Sequence, residues 1–134
     1  MKYLLDTNTC IRFMNGRSPA LHRKFLSTDY RDIAISTITK AEMFYGSAKS
    51  QTPEVSRARQ EEFFRHFASL TFDDAAADVY GQIRAPLERA GTPIGQHDML
   101  ITAIAVSNNL VLVTHNVSEF GRIIGLAIED WEEG

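Results

Sequence analysis

The chain has 134 residues, 44% hydrophobic and 23% charged, which suits one compact globular domain over residues 1–134 with a core of its own. Fourteen Lys and Arg against 17 Asp and Glu leave a formal net charge of −3. That excludes a strongly basic nucleic-acid coat protein, but not an enzyme that holds cations on carboxylates. The lone Cys10 excludes an internal disulfide and suits a reducing cytoplasm, and the apolar opening Tyr3-Leu4-Leu5 stops at Asp6, too short for a signal or membrane span.

In chain order, short strands alternate with helices. Lys2 to Asp6 reads as a buried strand and Asn8 to Met14 as a helix. Gly16, Ser18 and Pro19 break the chain and restart it, with Ser18 as cap of a helix through Phe25. Asp32 to Ser36 is a second strand, followed by a helix carrying Ala41, Glu42, Phe44 and Tyr45 to about Gly46. Thr52-Pro53-Glu54 starts a helical segment that ends near Phe67, and Ser69 to Phe72 is a short strand. Asp73-Asp74 caps a long helix through Ala90, in which Pro86 predicts a kink or a split.

Pro93-Ile94-Gly95 turns the chain into a helix that holds Asp98 in its first turn and stops at Asn108-Asn109. Leu110 to Thr114 is a continuous β-branched and leucine run of the kind buried in parallel sheets. A short helix from Ser118 to Ile123 and an edge strand from Leu126 to Ile128 complete the series. Strands separated by helices imply βαβ units: an α/β fold with a mainly parallel sheet covered on both faces.

Ligands of open parallel sheets bind beyond the carboxyl ends of the strands. Asp6 falls at the end of the first strand, and Thr114-His115-Asn116 at the end of the Leu110 run. Glu42 follows the second strand, and Asp98 follows the Gly95 turn. Taken singly, Asp6 reads as a helix cap, Glu42 as a solvated helix residue and Asp98 as an anion at a helix start. In combination they read as one acidic cluster. Crowded carboxylates raise one another's pKa, and a divalent cation removes that conflict. Mg²⁺ takes oxygen ligands and keeps waters, one of which, lowered in pKa, can attack phosphorus. His97 and His115 are histidines near these acids, but no His-x-x-x-His or Cys-rich spacing signals zinc.

Four segments carry a family resemblance: Leu4-Leu5-Asp6-Thr7-Asn8, Ile35 through Glu42, Pro93-Ile94-Gly95-Gln96-His97-Asp98 and Leu112-Val113-Thr114-His115-Asn116. With Glu119-Phe120-Gly121-Arg122 and Glu129-Asp130-Trp131, they resemble the PIN-domain ribonucleases, more narrowly the VapC toxins of type II toxin–antitoxin modules. The resemblance implies a three-layer α/β/α fold and Mg²⁺- or Mn²⁺-dependent endonucleolytic cleavage of structured RNA, often tRNA or rRNA. It also implies a homodimer and neutralisation by a VapB-like antitoxin. Carried over by position, Asp6, Glu42 and Asp98 form the metal site, supported by Thr7 and Asn8. Asn116 stands where many members place a further Asp; it keeps an oxygen ligand without the charge, and Glu119 is the alternative to complete the site.

Other readings are weaker. A phosphotransferase with Asp6 as nucleophile usually carries a second Asp two residues on, where this chain has Asn8. Neither a Gly-x-Gly-x-x-Gly run nor a phosphate-cradling Gly-Lys-Ser/Thr loop is present. The non-enzyme alternative is a catalytically silent PIN-like module that binds RNA or protein. Arg12, Arg17, Lys40, Lys49 and Arg84 are the basic candidates for RNA contact.

Overall fold

A computed structural model describes residues 1–133. Five strands, β1 (Tyr3–Leu5), β2 (Ile33–Ser36), β3 (Ala68–Leu70), β4 (Val111–Val113) and β5 (Ile128–Glu129), form one sheet in the order β3-β2-β1-β4-β5. Every pairing is parallel. The central strand β1 sets Leu4 beside Ala34 and Leu112, and Leu5 beside Ile35 and Val113.

Side chains alternate across the pleat, so this short apolar run feeds two cores. Leu4, Ala34 and Leu112 face one side, where they pack with Ala76 and Leu87 of α5 (Asp74–Arg89) and with Met99, Ile101 and Ala105 of α6 (Gln96–Ser107). Tyr3, Leu5, Ile33, Ile35 and Val113 face the other. There they meet Cys10 of α1 (Thr7–Asn15), Leu21 and Phe25 of α2 (Pro19–Leu26), Met43 of α3 (Thr37–Ala48), and Phe63 and Phe64 of α4 (Pro53–Phe64). Burial on both faces explains why β1 and β4 are apolar at every position rather than at alternate ones. The result is the three-layer α/β/α sandwich expected from the sequence.

Cys10 is fully buried in this second core, a packed apolar side chain as its surroundings in the sequence suggest. Phe25 anchors the same side, its ring 3.8 Å from that of Phe13 and 5.5 Å from that of Trp131. Phe63, Phe64 and Phe67 are also buried, whereas Tyr45 is exposed.

Four elements depart from expectation. Pro86 does not split α5, which runs from Asp74 to Arg89 through it. Pro86 lies on the exposed side of the helix, where the carbonyl that its missing N–H leaves free is open to solvent. A 3₁₀ turn at Tyr30–Asp32, capped by Asp29, delays β2 to Ile33. The last strand lies at Ile128–Glu129 rather than 126–128, because pairing with Leu112 and Val113 sets its register. A final helix, α7 (Val117–Phe120), ends three residues before Ile123, with Gly121 as its C-cap. No helix among the described residues is long and apolar enough to cross a membrane.

Candidate active site

The strand order places a switch point between β1 and β4, since the chain leaves β1 toward β2 and returns on its other side. Ligand crevices of parallel sheets form at such points. Asp6 sits in it: its backbone N–H donates to Val113 O at 3.0 Å, and its carboxylate caps α1 by accepting from Thr9 N at 2.8 Å. The residue is only 4% exposed. Burial pushes its carboxyl above the usual range; bonds from Thr114 and Thr9 offset this in part, and the charge of Glu132 adds to it.

Glu42 is delivered by α3, whose start is fixed by Ser36: the Ser36 hydroxyl accepts from Thr39 N at 3.1 Å. The Thr39 hydroxyl lies 3.1 Å from that of Thr7, which donates to Glu42 Oε1 at 2.7 Å. A line of hydroxyls thus joins the end of β2 to the start of α1 and holds one oxygen of Glu42. The other oxygen lies 3.2 Å from His97 Nδ1. Thr39 and Ser36 were not singled out in the sequence; the Ser-x-x-Thr spacing at a helix start was the available signal. Asn8 is exposed.

Asp98 is half-buried in the first turn of α6, and its carboxyl is pushed up to about 6. Desolvation is the main cause, followed by the negative charges of Glu119, Asp6 and Glu42, with His97 opposing. The carboxylates at positions 6, 42 and 119 thus all act on Asp98 from separate segments of the chain. Glu119 is held in place by Gly95 N–H, which donates to its Oε1 at 3.3 Å, and by Asn116 Nδ2, which donates to its Oε2 at 3.0 Å. Asn116 itself is exposed, and its carbonyl lies 3.5 Å from the Ser118 hydroxyl.

Concavities of about 550 and 530 Å³ lie away from these acids, one lined by residues such as Arg23, Lys24 and Trp131, the other by Phe13, Tyr30, Phe63 and Phe67. Among the basic candidates, Arg12 pairs with Glu132 and Arg84 with Glu88, while Lys40 lies over the Phe64 ring and Lys49 over the Tyr45 ring. Arg17 lines a separate concavity with Arg12, Arg23 and His115.

Carboxylates from separate segments, near the switch point of a parallel sheet, are the donor type that a metal-dependent nuclease uses. The comparisons agree. The PIN domain model matches residues 3–124. The chain is 44% identical over 131 residues to the tRNA(fMet)-specific endonuclease VapC of Salmonella typhimurium, covering 98% of each. It is 35% identical over 134 residues to Ribonuclease VapC2 of Rickettsia felis, covering 99% of this chain and 100% of that one. The DNA-bound VapBC structure from Salmonella typhimurium superposes with a TM-score of 0.92 over 98% of each chain, at 44% identity. The chain belongs to the PIN-domain family, among its VapC ribonucleases.

Proposed function

We propose that the chain is the toxin of a toxin–antitoxin module, a metal-dependent endoribonuclease that cuts structured RNA, with tRNA as the leading substrate class. The observation that carries this reading is the convergence of acids on Asp98, whose carboxyl is raised by burial and then by the negative charges of Glu119, Asp6 and Glu42. The relatives' printed activities, a tRNA(fMet)-specific endonuclease among them, support the substrate class. The VapBC complexes among similar structures support an antitoxin partner of the VapB kind. Residues 1–134 act as one nuclease unit in the cytoplasm, assembled as a homodimer.

Asp6, Glu42 and Asp98 are the residues we assign to the metal. An all-oxygen donor set with a charge surplus suits Mg²⁺, with Mn²⁺ as substitute. The ion, when bound, neutralises phosphoryl charge and lowers the pKa of a water. The chain's own residues do the rest. Thr7 and His97 hold the two oxygens of Glu42 at fixed positions, and Thr9 holds Asp6. Glu119 supplies a fourth carboxylate, and Asn116 fixes it through its amide rather than serving in its place. No covalent intermediate is required, so the products carry a 5′-phosphate and a 3′-hydroxyl. End-group analysis after digestion of tRNA in Mg²⁺ tests this. A 2′,3′-cyclic phosphate formed equally well in EDTA contradicts it.

A further inference from the structure

Beside the acidic edge, but on different residues, lies a second group of ligand-type atoms. His115 follows β4, and Asp130 and Glu132 follow β5. His115 Nδ1 lies 2.9 Å from Asp130 Oδ2 and 3.9 Å from Glu132 Oε2. One ligand atom from each of the three lies within 4.8 Å of the others. We propose that these residues form a binding site for a divalent ion of the zinc class, separate from the Asp6, Glu42 and Asp98 edge.

A second observation points to a ligand. The Glu132 side chain is 5% exposed, and its Oε2 is buried with no hydrogen-bond partner. Its other oxygen is taken by Arg12, so the free one is aimed at His115 and Asp130. Buried acceptors are normally satisfied, and an orphaned one marks a missing partner. Asp130 is also largely buried, at 8%, and its Oδ1 is occupied by Glu132 N–H at 2.9 Å, which leaves Oδ2 for the cluster.

The spacing fits one ion. Ligand bonds of about 2.1 Å allow two atoms on the same metal to be at most roughly 4.2 Å apart. Both distances from His115 fall inside that limit. The set is one imidazole nitrogen and two carboxylate oxygens, which suits Zn²⁺ or Co²⁺ better than Mg²⁺. Arg12 lowers the affinity by its charge, yet it also orients Glu132 so that Oε2 faces inward. Bound there, the ion ties the segment after β5 to the end of β4. Nothing in the spacing of residues 115, 130 and 132 announces such a site, since the ligands meet only through the parallel pairing of β4 with β5.

The test uses the full chain with Asp6→Asn and Asp98→Asn, so that the acidic edge no longer competes. Calorimetric titration with Zn²⁺ in excess Mg²⁺, and Co²⁺ absorption, read binding directly. We expect one equivalent of Zn²⁺, a higher thermal midpoint, and affinity weakened about tenfold or more by either His115→Ala or Glu132→Gln. His115 is 58% exposed, so its replacement leaves the fold intact. Absence of saturable Zn²⁺ binding, or binding unchanged by either substitution, overturns the site. Neither result depends on RNA cleavage, so this proposal and the nuclease reading fail independently.

Discussion

Single residues at the acidic edge carry two duties, and substitutions can separate them. Asp6 caps α1 through its carboxylate, and the proposed cation site uses the same carboxylate. Asn preserves a capping oxygen and removes the charge, whereas Ala removes both. Asp6→Asn is therefore expected to lose RNA cleavage with little change in stability, and Asp6→Ala to lose about 1 kcal/mol as well. Urea melts of the two variants beside the cleavage assay distinguish cap from site. Asp98 gives a prediction in pH. Its folded-state pKa of about 6 exceeds the ordinary 3.8, so the metal-free folded chain binds the proton more tightly than the unfolded chain. Stability from this group is thus present at low pH and is lost as pH rises from about 4 to about 6. Asp98→Asn cannot lose it. In EDTA the variant should match the wild type near pH 4 and exceed it at pH 7 by on the order of 1 kcal/mol after solvent screening. A gap of the opposite sign at pH 7 contradicts the crowding of carboxylates. The positions of Asp6, Glu42 and Asp98 in the fold were legible because each follows a readable break between elements; their role as metal ligands stays a proposal. The partnership of Asn116 with Glu119 was not, since it depends on which way an exposed amide turns.

At the scale of elements, the alternation of strands and helices was readable wherever apolar runs are bounded by caps and glycines. β4 is an unbroken apolar run, and α5 begins where Asp73 accepts from Ala76 N at 3.0 Å. Edge strands were less readable because pairing, not hydrophobicity, sets their ends. β5 includes Glu129 because that residue lies opposite Val113. β3 begins at Ala68, opposite Ala34, one residue before the apolar pattern suggests. Pro86 shows where a local rule yields to tertiary packing. Ala76 and Leu87, near the two ends of α5, are buried in one core and hold the helix together across the proline. The missing hydrogen bond still costs stability. Pro86→Ala is expected to raise stability by about 1–3 kcal/mol and leave RNA cleavage unchanged, read from chemical denaturation and the cleavage assay. A destabilised variant would show that the ring is needed where it lies.

For the molecule as a whole, the sheet separates folding from chemistry. Its two faces are buried in apolar cores, while its carboxyl edge collects acids that contribute nothing to those cores. A net charge of −3 is compatible with action on RNA where a cation, as proposed, offsets the carboxylates of that edge. The fold was legible from the sequence because these are the features that periodicity encodes; the placement of basic side chains was not, since Arg12 and Arg84 are engaged by acids that only the fold brings near or the helix aligns. The separation makes a clear demand on one variant. Asp98→Asn is nearly isosteric and leaves both cores untouched, but it removes a charge from the cation site. The most direct measurement is Mg²⁺-dependent tRNA cleavage by wild type and Asp98→Asn, with a thermal melt of each preparation. The account predicts a folded variant with a melt at or above that of the wild type, and cleavage reduced by orders of magnitude to the level seen in EDTA. A folded variant that cleaves at nearly the wild-type rate contradicts it.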